Sequence, residues 1–156
     1  MSRYAFQTSV SADRSRSEIE KTLVRYCAKK FMYGWDGRFA VVVFEMNERV
    51  IRFQLPMPDK SDQRFVKTPT GRKRRNPNAA LAVWEQSTRQ RWRALLLVIK
   101  AKLEAVESGI SNFESEFLAN IMLPNNQTVG EWAVPQLEGI YASRKIPALL
   151  PGTDVK

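Results

Sequence analysis

Basic side chains are concentrated in one quarter of the chain, where they could bind phosphate groups. The 39 residues from Arg64 to Lys102 contain eleven lysines and arginines and one acid, Glu85. Their local net charge is therefore +10 in a chain whose total is +9, and the remaining residues sum to −1. A positive charge confined to one stretch favours a polyanionic partner, and its repeated phosphates make nucleic acid the first candidate.

The first half of this stretch, RFVKTPTGRKRRN, contains six cations and no acid. Pro69 and Gly71 predict an extended, flexible loop, which would let the cations follow a phosphate backbone with little sequence preference. These candidate binding residues are Arg64, Lys67, Arg72, Lys73, Arg74 and Arg75. The alternative interpretation is an ordinary solvated surface loop.

The second half predicts a helix on which Arg89, Arg93 and Lys100 fall within an arc of about 40°. If the loop folds back over the start of this helix, both sets of cations would form one wall of a groove. The alternative is that these three residues occupy the exposed side of an amphipathic helix, although such sides usually mix both charge signs.

Aromatic side chains could add base stacking to phosphate binding. Tyr33 and Trp35 lie in a predicted turn beside Arg38, where rings are harder to bury, so we take them as the stacking candidates. Trp84 and Trp92 fall on the apolar stripe of the long helix and are predicted to be core residues. The sequence leaves the placement of Trp132 open.

Catalytic signals are weak. The chain has no histidine, which excludes Ser-His-Asp and Cys-His systems, and its single cysteine, Cys27, excludes an intramolecular disulfide. Asp36, Glu45 and Glu48 lie near one hairpin, as acids do in some metal-dependent nucleases, but no lysine stands two positions after Glu45. We therefore predict no catalytic residue, no metal site and no cofactor, and keep a metal-dependent nuclease as a third alternative.

The elements that position these residues begin with a sheet-rich half. Alternating Tyr4, Phe6 and Thr8 predict a strand over residues 3–10, followed by a helix capped by Ser15 or Ser17 and ending near residues 29–30. A short strand at 31–33 precedes a turn at 34–37. The apolar run at 39–44 predicts a central strand covered on both faces, and a hairpin at 47–49 leads to a strand ended by prolines 56 and 58.

The other half is predicted to be helical. Asn78 would cap a helix over residues 79–107 with an apolar stripe from Leu81 to Val106, and a second helix of about ten residues would begin at Ser111. Thr128 and Glu131 have capping-box spacing for a last helix over 129–144, with Pro135 in or near its first turn.

Together these patterns predict an α+β fold: a small, mainly antiparallel sheet in the order β-α-β-β-β, with a C-terminal helical half that contains one long helix. We expect a single domain over 1–156, with a sheet-rich half at 1–58, the basic loop at 59–78, the helical half at 79–145 and a tail at 146–156. No stretch has the ~18 apolar residues of a membrane span, so no membrane partner and a cytoplasmic location are expected.

Three passages resemble small uncharacterised proteins encoded by bacteriophages and prophages. They are TSVSADRSRSEIEKTLVRY, FEMNERVIRFQLPMPD and RQRWRALLLVIKAKLEAVESGISNFESEFLANIMLPNNQTV. The resemblance implies a phage setting, often among replication and recombination genes, and brings no catalytic residues with it.

The function expected from the sequence is nucleic-acid binding, DNA ahead of RNA, as an accessory to phage replication or recombination. The main alternative is a protein-interaction module that binds a phage or host replication or transcription protein through its basic surface. The apolar C-terminal tail and the aromatic content also leave room for a homodimer.

Overall fold

The α+β fold predicted above is confirmed by the computed structural model, which describes residues 8–36 and 38–146. The chain forms one three-stranded antiparallel sheet. One helix precedes the strands in sequence, and the other helices follow them. The elements are α1 (Ala12–Arg25), β1 (Lys29–Asp36), β2 (Phe39–Met46), β3 (Arg49–Pro56), α2 (Gln63–Val66), α3 (Pro77–Glu107), α4 (Phe113–Phe117), a 3₁₀ turn (Leu118–Asn120) and α5 (Val129–Ser143).

The sheet has the order β1-β2-β3, so the prediction that β2 is central is confirmed. A two-residue turn joins β2 to β3, and Asn47 and Glu48 both have positive φ, at 49° and 59°. This is the backbone geometry that matches the twist of an antiparallel hairpin. The pairing of Met46 with Arg49 follows directly from that turn.

Only one face of the sheet is covered, so the expectation that β2 is buried on both faces is wrong. Ala40, Val42 and Phe44 are buried, whereas Val41 and Val43 between them keep intermediate exposure. The helices α1 and α3 supply Ile19, Leu23, Trp92 and Leu96 to the core on the covered face, and Phe117 of α4 joins the same cluster. On the other face Met32 is 65% exposed, and among the described helices α5 reaches Arg52 through Glu131.

The N-terminal predictions need correction. The strand expected over 3–10 lies mostly outside the described residues, and residues 8–10 form no strand. Ser11, rather than Ser15 or Ser17, caps α1, because its hydroxyl accepts from the Arg14 amide at 3.1 Å while Ser15 is fully buried. The helix ends at Arg25 instead of near residues 29–30, since Cys27 adopts φ 64° and β1 begins at Lys29.

The turn predicted at 34–37 is shorter than expected. Gly34, Trp35 and Asp36 belong to β1 and pair with Val41, Ala40 and Phe39 of β2. Cross-strand pairing overrides the turn preference of these residues because each pairing satisfies backbone groups that a turn would leave to solvent.

The long helix α3 and its cap begin two residues earlier than predicted. Asn76, not Asn78, is the cap: its Oδ1 accepts from the Ala79 amide at 2.7 Å, and Pro77 occupies the first helical position, where its missing N–H costs nothing. The apolar stripe is confirmed at Trp92, Leu95, Ile99 and Leu103, but Leu81 is 43% exposed. Burial therefore starts near the middle of the helix.

The C-terminal helices are partly as predicted. Asn112 replaces Ser111 as the cap of α4, which has five residues followed by a 3₁₀ turn instead of about ten helical residues. The capping box of Thr128 and Glu131 at α5 is confirmed. Pro135, however, lies well inside α5 rather than near its first turn, so the Glu131 carbonyl lacks its helical donor. The tail from residue 147 onward lies outside the described residues.

Candidate nucleic-acid interface

The basic loop is folded, contrary to the extended and flexible conformation predicted from its composition. Asp62 caps α2 by accepting from the Arg64 amide at 3.0 Å, and Phe65 in that helix is buried. The buried ring fastens the start of the loop to the body of the protein, since α2 packs against α3. The adjacent apolar residues Phe65 and Val66 in an otherwise polar segment are the signal in the sequence that indicates this anchor.

Backbone hydrogen bonds then close the loop into a small hairpin. The Arg75 amide donates to the Val66 carbonyl at 2.7 Å, and the Thr68 amide donates to the Lys73 carbonyl at 2.9 Å. Gly71 at the tip has φ 70°, a conformation that favours glycine. The loop therefore holds its side chains on a hydrogen-bonded hairpin and not on the extended chain that was predicted.

Four cations surround a hollow formed by this hairpin and α2. The hollow has a volume of about 590 Å³. We call it the basic hollow and define it by its lining residues, which are Ser61, Gln63, Val66, Lys67, Gly71, Arg72, Lys73 and Arg74. The lining contains no acid, and the four cations are exposed. Within the described part of the chain, none of these four side chains forms a hydrogen bond or an ion pair.

The other two cations of the loop have internal roles. The Arg75 guanidinium donates from Nη1 to the carbonyls of Arg64 and Phe65, at 2.8 and 3.1 Å, and so ties the two sides of the hairpin together. The Arg64 side chain lies over the ring of Phe65 and pairs with Asp62 at 2.9 Å. Arg64 and Arg75 therefore shape the loop, whereas Lys67, Arg72, Lys73 and Arg74 face solvent.

The predicted helix cations are engaged elsewhere. Arg93 Nη1 and Lys100 Nζ bind the two carboxylate oxygens of Glu18 in α1, at 3.2 and 2.5 Å. The hydrogen bond from Lys100, helped by the charges of both cations, lowers the pKa of Glu18. Arg89 donates to Gln86 Oε1 at 3.0 Å through Nε. These three residues do not line the basic hollow, so the structure does not join them to the loop in one groove wall.

The two candidate stacking residues differ in their surroundings. Tyr33 lies 6.5 Å from the ring of Phe31 and has the Arg16 guanidinium 4.9 Å from its own ring centre. Trp35 is 62% exposed, and no ring or cation among residues 8–36 and 38–146 contacts it. Trp92 is buried in the core as predicted, whereas Trp84 is only partly buried and does not belong to the core cluster, so the prediction that places it in the core is wrong.

Trp84 also has a role that the sequence did not indicate. Its Nε1 donates to the Pro58 carbonyl at 2.7 Å, and Lys60 Nζ lies 4.3 Å from its ring centre. Asp59 accepts from both the hydroxyl and the amide of Ser61, and these bonds lower the pKa of Asp59. Residues 58–61 are thereby held against the beginning of α3, directly before the basic hollow.

The acidic residues near the hairpin, Asp36, Glu45 and Glu48, do not form a metal-binding cluster in the described chain. Glu45 accepts from Lys30 Nζ at 2.5 Å, and this bond lowers the pKa of Glu45. Across the described ranges, no three residues among cysteines, aspartates and glutamates lie close enough to hold a metal ion. The described helices also include none with the length and apolarity to cross a membrane.

Comparison with protein-family models, with curated proteins and with solved structures found no match to this chain. The functional argument therefore depends on the geometry of the basic hollow.

Proposed function

We propose that this protein binds nucleic acid through the basic hollow, by contacts to phosphate groups and with little sequence preference. The observation that carries the proposal is the set of four exposed cations, Lys67, Arg72, Lys73 and Arg74, whose side chains pair with no other described residue and surround a hollow with no acid in its lining. Some other cations do pair with acids: Lys30 pairs with Glu45, and Arg93 and Lys100 pair with Glu18. Four cations left together without acids indicate a polyanionic ligand.

Little sequence preference follows from the chemistry of the lining. Lysine and arginine side chains on a loop reach phosphate oxygens, which carry no sequence information. Because the Arg75 clamp and the backbone hydrogen bonds preform the hairpin, the loop loses little conformational entropy on binding. We place DNA ahead of RNA, in the cytoplasm of a host cell, because the resemblance to phage proteins implies a replication or recombination setting.

The experiment is a fluorescence anisotropy titration of labelled DNA and of labelled RNA, each at two salt concentrations. We expect binding at low ionic strength that weakens steeply as salt is added, since cation–phosphate contacts release counterions. Binding that does not change with salt, or no binding to either DNA or RNA at low salt, would exclude the proposal. An acidic protein surface would then be the remaining polyanion that could satisfy these four cations.

A further inference from the structure

We infer that the nucleic acid bound by the basic hollow is single-stranded, and that one of its bases stacks on Trp35. This inference rests on the proposed function. Phosphate contacts alone do not distinguish single-stranded from double-stranded nucleic acid. The inference specifies a single strand and names the residue on which one of its bases stacks.

The first step is that Trp35 and the basic hollow lie at the same end of the sheet. Trp35 is the next-to-last residue of β1, and β3 ends at Pro56 opposite Phe39. The Met57 amide donates to the Arg38 carbonyl at 2.8 Å, and Arg38 also pairs with Asp59 at 3.9 Å. The chain that leads into the hollow therefore runs beside the turn that follows Trp35.

The second step concerns the free ring of Trp35. Its cross-strand partner is Ala40, the smallest side chain of β2, and no described ring or cation covers it. Tyr33, two residues earlier, already has the Arg16 guanidinium against its ring and Phe31 beside it. Of the two aromatic candidates, Trp35 is the more exposed, at 62% against 49% for Tyr33, and it is the one whose ring has no described ring or cation beside it.

The third step is the kind of ligand that suits both features. The cations of the basic hollow attract single and double strands alike. The exposed indole of Trp35 adds binding energy only if a base is free to stack on it. Bases of a single strand are exposed already, whereas a duplex must unpair or unstack to offer one. Arg38, three residues after Trp35, has a side chain that is 83% exposed and pairs with Asp59 in the segment that leads to the hollow.

The test compares three variants of the full chain, W35A, W35F and W132A. Trp132, at the start of α5, is the matched control because it is also a partly exposed tryptophan, at 41%. Affinities are measured by anisotropy for an oligothymidylate of about 20 nucleotides and for a duplex of the same length. Intrinsic tryptophan fluorescence is recorded in the same titrations.

We expect W35A to weaken single-strand binding by about 5- to 150-fold, the range found for loss of one base–aromatic stack, with duplex binding and the salt slope unchanged. W35F should keep most of the affinity, while the fluorescence quenching caused by single strands should disappear in it. W132A should behave as the wild type in both respects.

Two results would overturn the inference while leaving the proposed function intact: duplex bound as tightly as single strand, or W35A bound to single strands as tightly as the wild type. If the wild-type protein binds neither probe at low salt, the proposed function fails and the inference fails with it.

Discussion

Removing the four cations of the basic hollow should abolish most of the affinity for single-stranded DNA. The variant changes Lys67, Arg72, Lys73 and Arg74 to glutamine. The hairpin should keep its shape, because it is held by backbone hydrogen bonds, by the buried Phe65 ring and by the guanidinium of Arg75, all of which remain. The change is therefore confined to charge.

The size of the effect follows from counterion release. Each phosphate contact contributes about −0.7 to the slope of log K against log salt concentration for a single strand, so four contacts contribute about −2.8. At ~0.1 M salt, which is one decade below 1 M, the loss is about 2.8 decades in affinity, or roughly 600-fold and about 4 kcal/mol. The two proteins should converge as the salt concentration approaches 1 M.

The assay is anisotropy over a salt series, with a charge-matched control. The control changes Lys21, Arg25, Lys29 and Arg49 to glutamine, which are equally exposed cations at the opposite end of the sheet and of α1. It has the same net charge as the test variant but an intact hollow. If both variants lose affinity equally, or if the slope of the test variant changes by less than about one unit, general charge rather than the hollow drives binding and the reasoning is refuted.

Three further predictions concern contacts that stabilise the fold. The pKa of Glu18 is lowered from its ordinary 4.5 in the folded protein, so its ion pairs stabilise the fold fully above that value and less as pH falls through the folded pKa; E18Q should cost about 1 kcal/mol in urea denaturation at pH 7 and progressively less as the pH is lowered below 4.5, and a cost that does not change with pH would contradict this. Arg52 donates to both carboxylate oxygens of Glu131 at 2.8 and 2.6 Å, so R52Q should raise hydrogen exchange in α5 about tenfold, while unchanged exchange would show that this contact does not hold the helix. W92A should lower the free energy of unfolding by about 3–5 kcal/mol because Trp92 is 1% exposed, and a cost below about 1 kcal/mol would place that ring outside the core.

Local sequence patterns predicted those features that depend on near neighbours. The capping box of Thr128 and Glu131 and the central position of β2 needed only short-range hydrogen bonding and hydrophobic pattern, and both are confirmed. The placement of Trp92 in the core likewise follows from its spacing within one helix. The cap of α1 was predicted at Ser15 or Ser17 and lies at Ser11 instead, because Ser15 is buried by the packing of α1, which the local pattern does not reveal.

The sequence predicted which cations belong to the candidate site but not the different roles that these cations have. All six loop cations look alike in sequence, yet Arg64 and Arg75 hold the hairpin while the other four surround the hollow. The carbonyl oxygens that accept from Arg75 belong to residues 10 and 11 positions away, which no helical or strand period connects. That assignment needs the folded path of the loop.

The sequence by itself established the α+β class, the long amphipathic helix and the concentration of positive charge, because composition and periodicity are properties of the chain before it folds. Only the tertiary structure decided which charges remain free. Glu18 lies 75 and 82 residues from Arg93 and Lys100, and the packing of α1 on α3 brings it to both. An ion pair depends on the distance between charges in space, so folding brought Arg93 and Lys100 to an acid, whereas the four cations of the basic hollow pair with no described residue.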